Sequence, residues 1–366
     1  MAHPRQPRDA AQFQIAFFCA LAAERHAITL ALDEQYETSG ILYPRHSSDP
    51  NTYTTGRIGS HYVVIVYLAG AGNMQSAGAA TRLTMTFPGI KLAIAVGVCG
   101  VNPRARDADG QEVLLGDVIV STAIVPSRYG ARYDEGDEDA VLIPPVAIRT
   151  FLKKLKVITV LQRMKRRMIT YTEAILDGGL RPRGVYPGPE NDVLYDAGYQ
   201  HKHRKPNGGE ICADCQRSSY AGCPSAWETP CAILGCDAAS QLPRSRLRVA
   251  SGLHPDRRPI RERDNVERAR RPSILFGKFA SSNSVMASAY HRDQLIQQRG
   301  VLGFERVGEG SWEYIPTIIV KGASDYADSH RNEVWQHYAA ITAAACAKAI
   351  VEEWRFELTP GRAAGM

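Results

Sequence analysis

Four apolar runs of strand length constrain this chain more than any other feature. Phe13 to Leu21, Tyr62 to Leu68, Leu92 to Val98 and Asp117 to Val125 are near-continuous in hydrophobic residues rather than alternating, the pattern of strands buried on both faces. A sheet of such strands needs helices on each side. Between the second and third runs, Asn73 to Phe87 is rich in Ala and Met and stops at Pro88-Gly89, which predicts a crossover helix. Pro144 to Leu161, with its Lys/Arg-rich continuation to Arg167, predicts another. The strand pattern returns in Ile274 to Ala280, Val301 to Glu305 and Thr317 to Val320. Val334 to Trp354 predicts an Ala-rich helix that covers the sheet with Tyr338, Ile341, Ala345 and Ile350. The expected fold is α/β, three layers in the order α/β/α around a central twisted mixed sheet.

From about residue 170 to 272 the character changes. Gly178-Gly179, Pro182, Pro187-Gly188-Pro189, a cysteine cluster and an Arg-rich run follow one another with little apolar periodicity. This segment reads as an insertion or lid within a domain spanning 12–356, with residues 1–11 and 357–366 as flexible tails. Between Pro243 and Pro272 ten Arg face four acidic residues, which accounts for the whole formal charge of +6. A charge confined to one solvated segment argues against nucleic acid as the partner. No stretch approaches the roughly 18 unbroken apolar residues of a membrane helix, and the first apolar run reads as a strand rather than a signal segment. The expectation is a soluble, cytoplasmic protein without a membrane partner.

The eight cysteines divide in two. Cys19, Cys99 and Cys346 lie in apolar runs and read as buried thiols. Cys212, Cys215, Cys223, Cys231 and Cys236 crowd into the polar insertion. Cys212-x2-Cys215 has metal-ligand spacing, and Cys231 with Cys236 would complete a tetrahedral structural zinc site, with Cys223, His201 and His203 as further candidates. The other reading is reduced thiols packing the insertion. No water-activating His-Glu arrangement accompanies the cluster, so no cofactor is expected for catalysis.

Three segments, in order, carry a family resemblance: Cys19-Ala20-Leu21-Ala22-Ala23-Glu24; Ala95-Val96-Gly97-Val98-Cys99-Gly100 before Leu115-Gly116-Asp117-Val118-Ile119-Val120-Ser121; and Val320-Lys321-Gly322-Ala323-Ser324-Asp325-Tyr326-Ala327-Asp328-Ser329-His330. Together they resemble the purine and uridine phosphorylase superfamily. The spelling Ser-Asp-Tyr-Ala-Asp-Ser-His and the Tyr199-Gln200-His201-Lys202-His203 segment with its cysteines resemble fungal members, some of which are domains of longer proteins. The resemblance covers about Phe13 to Trp354 and implies a phosphorylase/hydrolase-like fold, a nucleoside as small-molecule partner, and a homo-oligomer.

The chemistry is intelligible from the residues. Cleaving a purine from its sugar goes faster if an acid protonates N7 while the sugar passes through an oxocarbenium-like state. Asp325, at the carboxyl end of an apolar strand, suits that task and matches the family's general acid by resemblance; burial would have to raise its pKa. Ser324 beside it would orient the carboxyl group. Glu24, in the first turn of a helix, matches by resemblance the glutamate that activates water in the nucleosidases. Ala22-Ala23-Glu24 stands where phosphorylases place a phosphate cradle, so water is the expected co-substrate and phosphate its variant. The loop of Gly97, Cys99 and Gly100, with Val285 and Met286, is expected to border the base.

The pattern also breaks. Where the family reads Met-Glu-Gly-Ala-Gly, this chain reads Arg306-Val307-Gly308-Glu309-Gly310, so the ribose-binding glutamate falls on Val307. Glu305 or Glu309 could supply a displaced carboxylate, and Glu305 is the candidate taken for substrate binding. Ser127 to Ala131 and Gly70-Ala71-Gly72-Asn73 depart from the fungal runs at the same points. Two readings follow: a purine nucleosidase, with a nucleoside phosphorylase as its variant, or a catalytically impaired nucleoside-sensing module.

Overall fold

A computed structural model describes residues 6–127, 141–181, 183–204, 212–217, 223–250, 271–331 and 333–355. Most of the Arg-rich run, parts of the insertion and residues 128–131 of the Ser127 to Ala131 motif lie outside them. Eleven strands are described: β1 (Ile15–Cys19), β2 (Glu34–Gln35), β3 (Thr52–Ile58), β4 (His61–Tyr67), β5 (Leu92–Val101), β6 (Val118–Pro126), β7 (Leu194–Tyr195), β8 (Gln241–Leu242), β9 (Ile274–Ser281), β10 (Val301–Glu305) and β11 (Thr317–Asp325). Nine form one sheet in the order β10-β9-β6-β11-β5-β1-β4-β3-β2. β4, β1, β5 and β11 run parallel, whereas β6 is antiparallel to β11. The central sheet is therefore mixed. Gly303 and Phe304 of β10 also pair with Val101 and Gly100 at the far end of β5, which curls five strands towards a barrel and brings the ends of β5, β10 and β11 around one space.

The continuous apolar runs are explained by burial on both faces. In β1, Ile15, Phe17 and Cys19 enter one core and Ala16 and Phe18 the other, the period of two that a strand imposes. The helices Ala22–Leu30, Val146–Leu155, Ile158–Ile175 and Gln336–Glu353 cover the first face, and Asn73–Thr86 covers the second. This is the three-layer α/β/α arrangement. Among the described residues no helix is long and apolar enough to cross a membrane.

Two details differ from the expectation. The single helix expected from Pro144 to Arg167 is two, separated at Lys156 and Val157, where Val157 turns extended. The buried residues Ile148, Phe151, Leu152 and Leu155 keep helical spacing, but the next pair is Val160 and Leu161. A straight helix would rotate that second stripe off the sheet, and the break restores it. The second helix then continues to Ile175, with Thr172 and Ile175 buried against the core, so the sheet-covering layer extends past residue 170. The strand Thr52–Ile58 had no counterpart in the apolar pattern because it lies near the sheet edge and is rich in Thr.

Candidate active site

Parallel β1, β5 and β11 are neighbours, so their carboxyl ends open on one edge of the sheet, where open α/β folds hold ligands. A cavity of about 260 Å³ lies there. Its wall includes Glu24 from the helix after β1, Val98 to Gly100 from β5, Lys321, Ser324 and Asp325 from β11, Ser284 to Met286 after β9, Phe304 and Glu305 at the end of β10, and Arg306 and Val307 after it. Of the residues singled out in the sequence, Glu24, Cys99, Gly100, Val285, Met286, Glu305, Ser324 and Asp325 all line this one space.

Glu24 is fixed from three directions. Its Oε2 accepts the amides of Ala20 and of the N-cap Leu21, each at 2.9 Å, and the second closes a capping box at the helix start. Its Oε1 accepts the Val98 amide at 2.9 Å and lies 3.7 Å from the Lys321 ammonium. Both side chains are almost fully buried, at 3% exposure each. Oε2 is thus fully used, while Oε1 keeps a lone pair that a water at the cavity wall can use. Gly97 is not in the cavity wall, contrary to the expectation that it borders the base. It has φ +148°, and a Cβ there would fall 1.8 Å from Glu24 Oε1. Its missing side chain makes room for the carboxylate rather than for a ligand. The register that sets Lys321 opposite Gly97 delivers the ammonium to the same point.

Asp325 is placed by a bulge. Ala323 pairs with Cys99 and Asp325 with Gly100, so Ser324 is an extra residue on β11. In a regular strand neighbours face opposite sides; the bulge lets both Ser324 and Asp325 reach the cavity. Ser324 Oγ donates to Asp325 Oδ2 at 3.0 Å, and the Ala327 amide donates to Oδ1 at 2.9 Å. Ala327 sits at φ 55° in the left-handed region, and local strain of this kind costs on the order of 1–3 kcal/mol. A Cβ on Gly100 would meet Asp325 Oδ1 at 2.8 Å, so this glycine also clears space for a carboxylate. The Arg331 guanidinium lies 3.7 Å from Oδ2 at the cavity mouth. Burial pushes the Cys99 thiol well above its ordinary value, which leaves it a neutral wall residue rather than a nucleophile.

Around Val307 the carboxylates are already engaged. Glu305 lines the cavity, yet it accepts the Val307 amide at 2.7 Å and the Gly308 amide at 2.9 Å, capping the short helix Gly308–Trp312. Glu309 is not in the cavity wall and accepts from Asn73 Nδ2 at 2.7 Å. Lys321, Arg306 and Arg331 were not among the site residues singled out in the sequence. For Lys321 the sequence signal is a lysine that directly follows the apolar run Thr317 to Val320; the structure shows it inside a strand whose every residue is buried.

Behind the site, Asp192 is buried and receives hydrogen bonds from the Tyr326 hydroxyl and the Leu115 amide. Burial pushes its carboxyl up to about 6. Asp328, also raised to about 6 by burial, is opposed by the Arg292 guanidinium.

The cysteines do not form the expected Cys212, Cys215, Cys231 and Cys236 set. Cys212 and Cys215 gather with Cys223 and His203, whereas Cys231 and Cys236 gather with His201. The physical reason is local chain closure. Cys223 folds back onto the Cys212–Cys215 turn, its amide donating to Cys215 Sγ at 3.3 Å. Cys231 and Cys236 bracket a single helical turn, Cys231–Leu234.

No family model matches the chain. A nucleotide-binding leucine-rich repeat (NLR)-like protein of Hyaloscypha variabilis is 26% identical over 348 residues, which is 93% of this chain and 29% of that protein. The chain thus spans less than a third of this relative's length. Among solved structures, the chain is similar to the 5'-methylthioadenosine/S-adenosylhomocysteine nucleosidase of Neisseria meningitidis (TM-score 0.49, 11% identity, covering 93% of this chain and 99% of that one). It is also similar to the S-adenosylhomocysteine nucleosidase of Streptococcus pyogenes (0.49, 14%, 94% and 98%) and to the futalosine hydrolase of Helicobacter pylori (0.48, 12%, 94% and 99%).

Proposed function

We propose that the cavity binds a nucleoside, a purine nucleoside by preference, and that water cleaves its N-glycosidic bond. The observation that carries this reading is the convergence of two buried carboxylates on one cavity, Glu24 from the helix that follows β1 and Asp325 from the end of β11, the two strands that flank β5. In the step, Glu24 Oε1 takes a proton from water as its oxygen bonds to the anomeric carbon. The bond from that carbon to the base nitrogen breaks, and Asp325 delivers its proton to N7 of the leaving base. Ser324 holds the Asp325 carboxyl in place. A phosphate nucleophile would have to approach the Glu24 carboxylate, so water is favoured over phosphate. A second copy of the chain closing the cavity mouth is part of the same reading.

A specific observation favours a second reading, a nucleoside-sensing domain without turnover. The two carboxylates that flank Val307 in sequence are both engaged: Glu305 caps its own following turn and Glu309 is held by Asn73. A role inside a longer, NLR-like protein fits binding without chemistry.

The test is free-base release from adenosine, guanosine, inosine and uridine, with and without phosphate, on the wild type, Asp325→Asn and Glu24→Gln. Phosphate-independent release lost in both variants supports the hydrolase. Release only with phosphate replaces water as nucleophile. No release from a folded protein that nucleosides nevertheless stabilise against heat establishes the sensing module.

A further inference from the structure

The insertion carries seven metal-type ligand atoms that no step of the proposed chemistry uses. They fall into two groups within which every ligand atom lies inside 4.8 Å of every other. Such convergence of thiols and imidazoles needs a cause, because sulfur and nitrogen lone pairs gain little from facing one another. A tetrahedral zinc ion supplies it. With metal–ligand lengths of about 2.3 Å for sulfur and 2.0–2.1 Å for nitrogen, the edges of a tetrahedron are about 3.8 Å between two sulfurs and about 3.6 Å between sulfur and nitrogen. In the first group Cys212 Sγ lies 3.8 Å from Cys223 Sγ, and His203 Nδ1 lies 3.6 Å from Cys215 Sγ and 3.5 Å from Cys223 Sγ. In the second, His201 Nδ1 lies 3.6 Å from Cys231 Sγ and 3.4 Å from Cys236 Sγ.

The hydrogen bonds around the ligands point the same way. His201 Nε2 is 2.9 Å from the Thr229 carbonyl oxygen, which can only accept, so Nε2 carries the proton and Nδ1 turns an unprotonated lone pair to the two sulfurs. The Cys223 amide donates to Cys215 Sγ at 3.3 Å, the kind of contact that stabilises a thiolate. All eight cysteines are free, so no disulfide competes for these sulfurs.

We propose that the insertion is a two-zinc module: an outer, closed centre held by His203, Cys212, Cys215 and Cys223, and an inner centre held by His201, Cys231 and Cys236 with one position left for water. The four outer ligands are nested in sequence between His201 and Cys231, so an ion at the inner centre closes the loop that carries the outer one. The inner centre abuts the segment that follows Asp325. The His201 amide donates to Ser329 Oγ at 3.2 Å, the His201 ring meets the His330 ring edge-on at 5.1 Å, and Tyr195 stacks on His330 at 4.1 Å. Arg331, next in sequence, lines the cavity. Zinc at the inner centre therefore holds the segment that walls the mouth of the site, while zinc at the outer centre folds the insertion alone.

The experiment is metal analysis of the full chain, purified under reducing conditions without added metal, with amide hydrogen exchange on the same samples. The expected result is two zinc ions per folded chain. Cys215→Ser/Cys223→Ser loses one and leaves exchange in residues 326–331 unchanged. Cys231→Ser/Cys236→Ser loses the other and raises exchange there at least tenfold. Should a serine variant fail to fold, His203→Cys still decides: it offers four sulfurs to the outer centre and retains both ions. Cobalt titration of the metal-free wild type adds a second readout, two sequential tetrahedral-thiolate absorption bands. Fewer than two equivalents, iron instead of zinc, or loss of both ions from either pair alike overturns the proposal.

Discussion

Replacing Glu24 by Gln is expected to destabilise the protein as well as stop turnover, and a second substitution separates the two effects. Glu24 and Lys321 are each about 3% exposed and 3.7 Å apart, so solvent screens neither. At that separation, with an effective dielectric of about 20, their attraction is about 4 kcal/mol. Removing one member of a buried pair costs about 3–5 kcal/mol because the other is left charged and unmatched. Glu24→Gln strands the Lys321 ammonium, whose remaining hydrogen bond among the described residues is to the Val96 carbonyl at 3.3 Å. Lys321→Met alone costs less, since Glu24 keeps three backbone amides. The double variant removes the stranded charge and recovers stability to within about 2 kcal/mol of wild type, the remainder being the amide left facing the Val98 N–H. Urea unfolding at neutral pH measures all four proteins, and free-base release is measured on the same samples. The double variant is stable and inactive if the argument holds. If adding Lys321→Met to Glu24→Gln destabilises the protein further instead of relieving it, the pair is not what holds Glu24.

Gly97→Ala places a Cβ 1.8 Å from Glu24 Oε1 on backbone at φ +148°; it is expected to cost about 2–5 kcal/mol and to abolish turnover, read by thermal melting and base release. Glu305→Ala strips the acceptor from the Val307 and Gly308 amides and is expected to cost about 2–4 kcal/mol in urea unfolding, whether or not the side chain touches ribose. Asp192 binds its proton at about 6 in the fold against an ordinary 3.8, so its contribution is fully present below 3.8 and is lost as pH rises through 6. Comparing urea midpoints at pH 7 and pH 4.5, wild type is expected to gain on the order of 1–3 kcal/mol at the lower pH relative to Asp192→Asn, whose midpoints lack this component. An identical pH response in both proteins contradicts the assignment.

The apolar runs determined the layer fold by themselves, because a segment without alternation has nowhere to be but between two covered faces. The order of the motifs likewise placed Glu24, Ser324 and Asp325 as candidates, since each follows a buried strand and functional residues gather at such ends. What the sequence could not express is whatever depends on which strands become neighbours. Lys321 takes its place in the site only from the β5–β11 register, which sets it opposite Gly97 and beside Glu24. Ser324 and Asp325 are both legible as site residues, but what lets two adjacent strand residues reach one cavity is a one-residue bulge set by pairing with β5. Gly97 reads as a site for a ligand until the fold fills its empty side with the Glu24 carboxylate from the helix after β1. Glu305 reads as a spare carboxylate until the following turn claims it. The five insertion cysteines read as one cluster with many pairings, and only local chain closure sorts them into two groups with one histidine each. Composition and periodicity report which residues must leave water; partners are set by contacts between residues far apart in the chain, such as Glu24 with Lys321, and those exist only once the sheet is assembled.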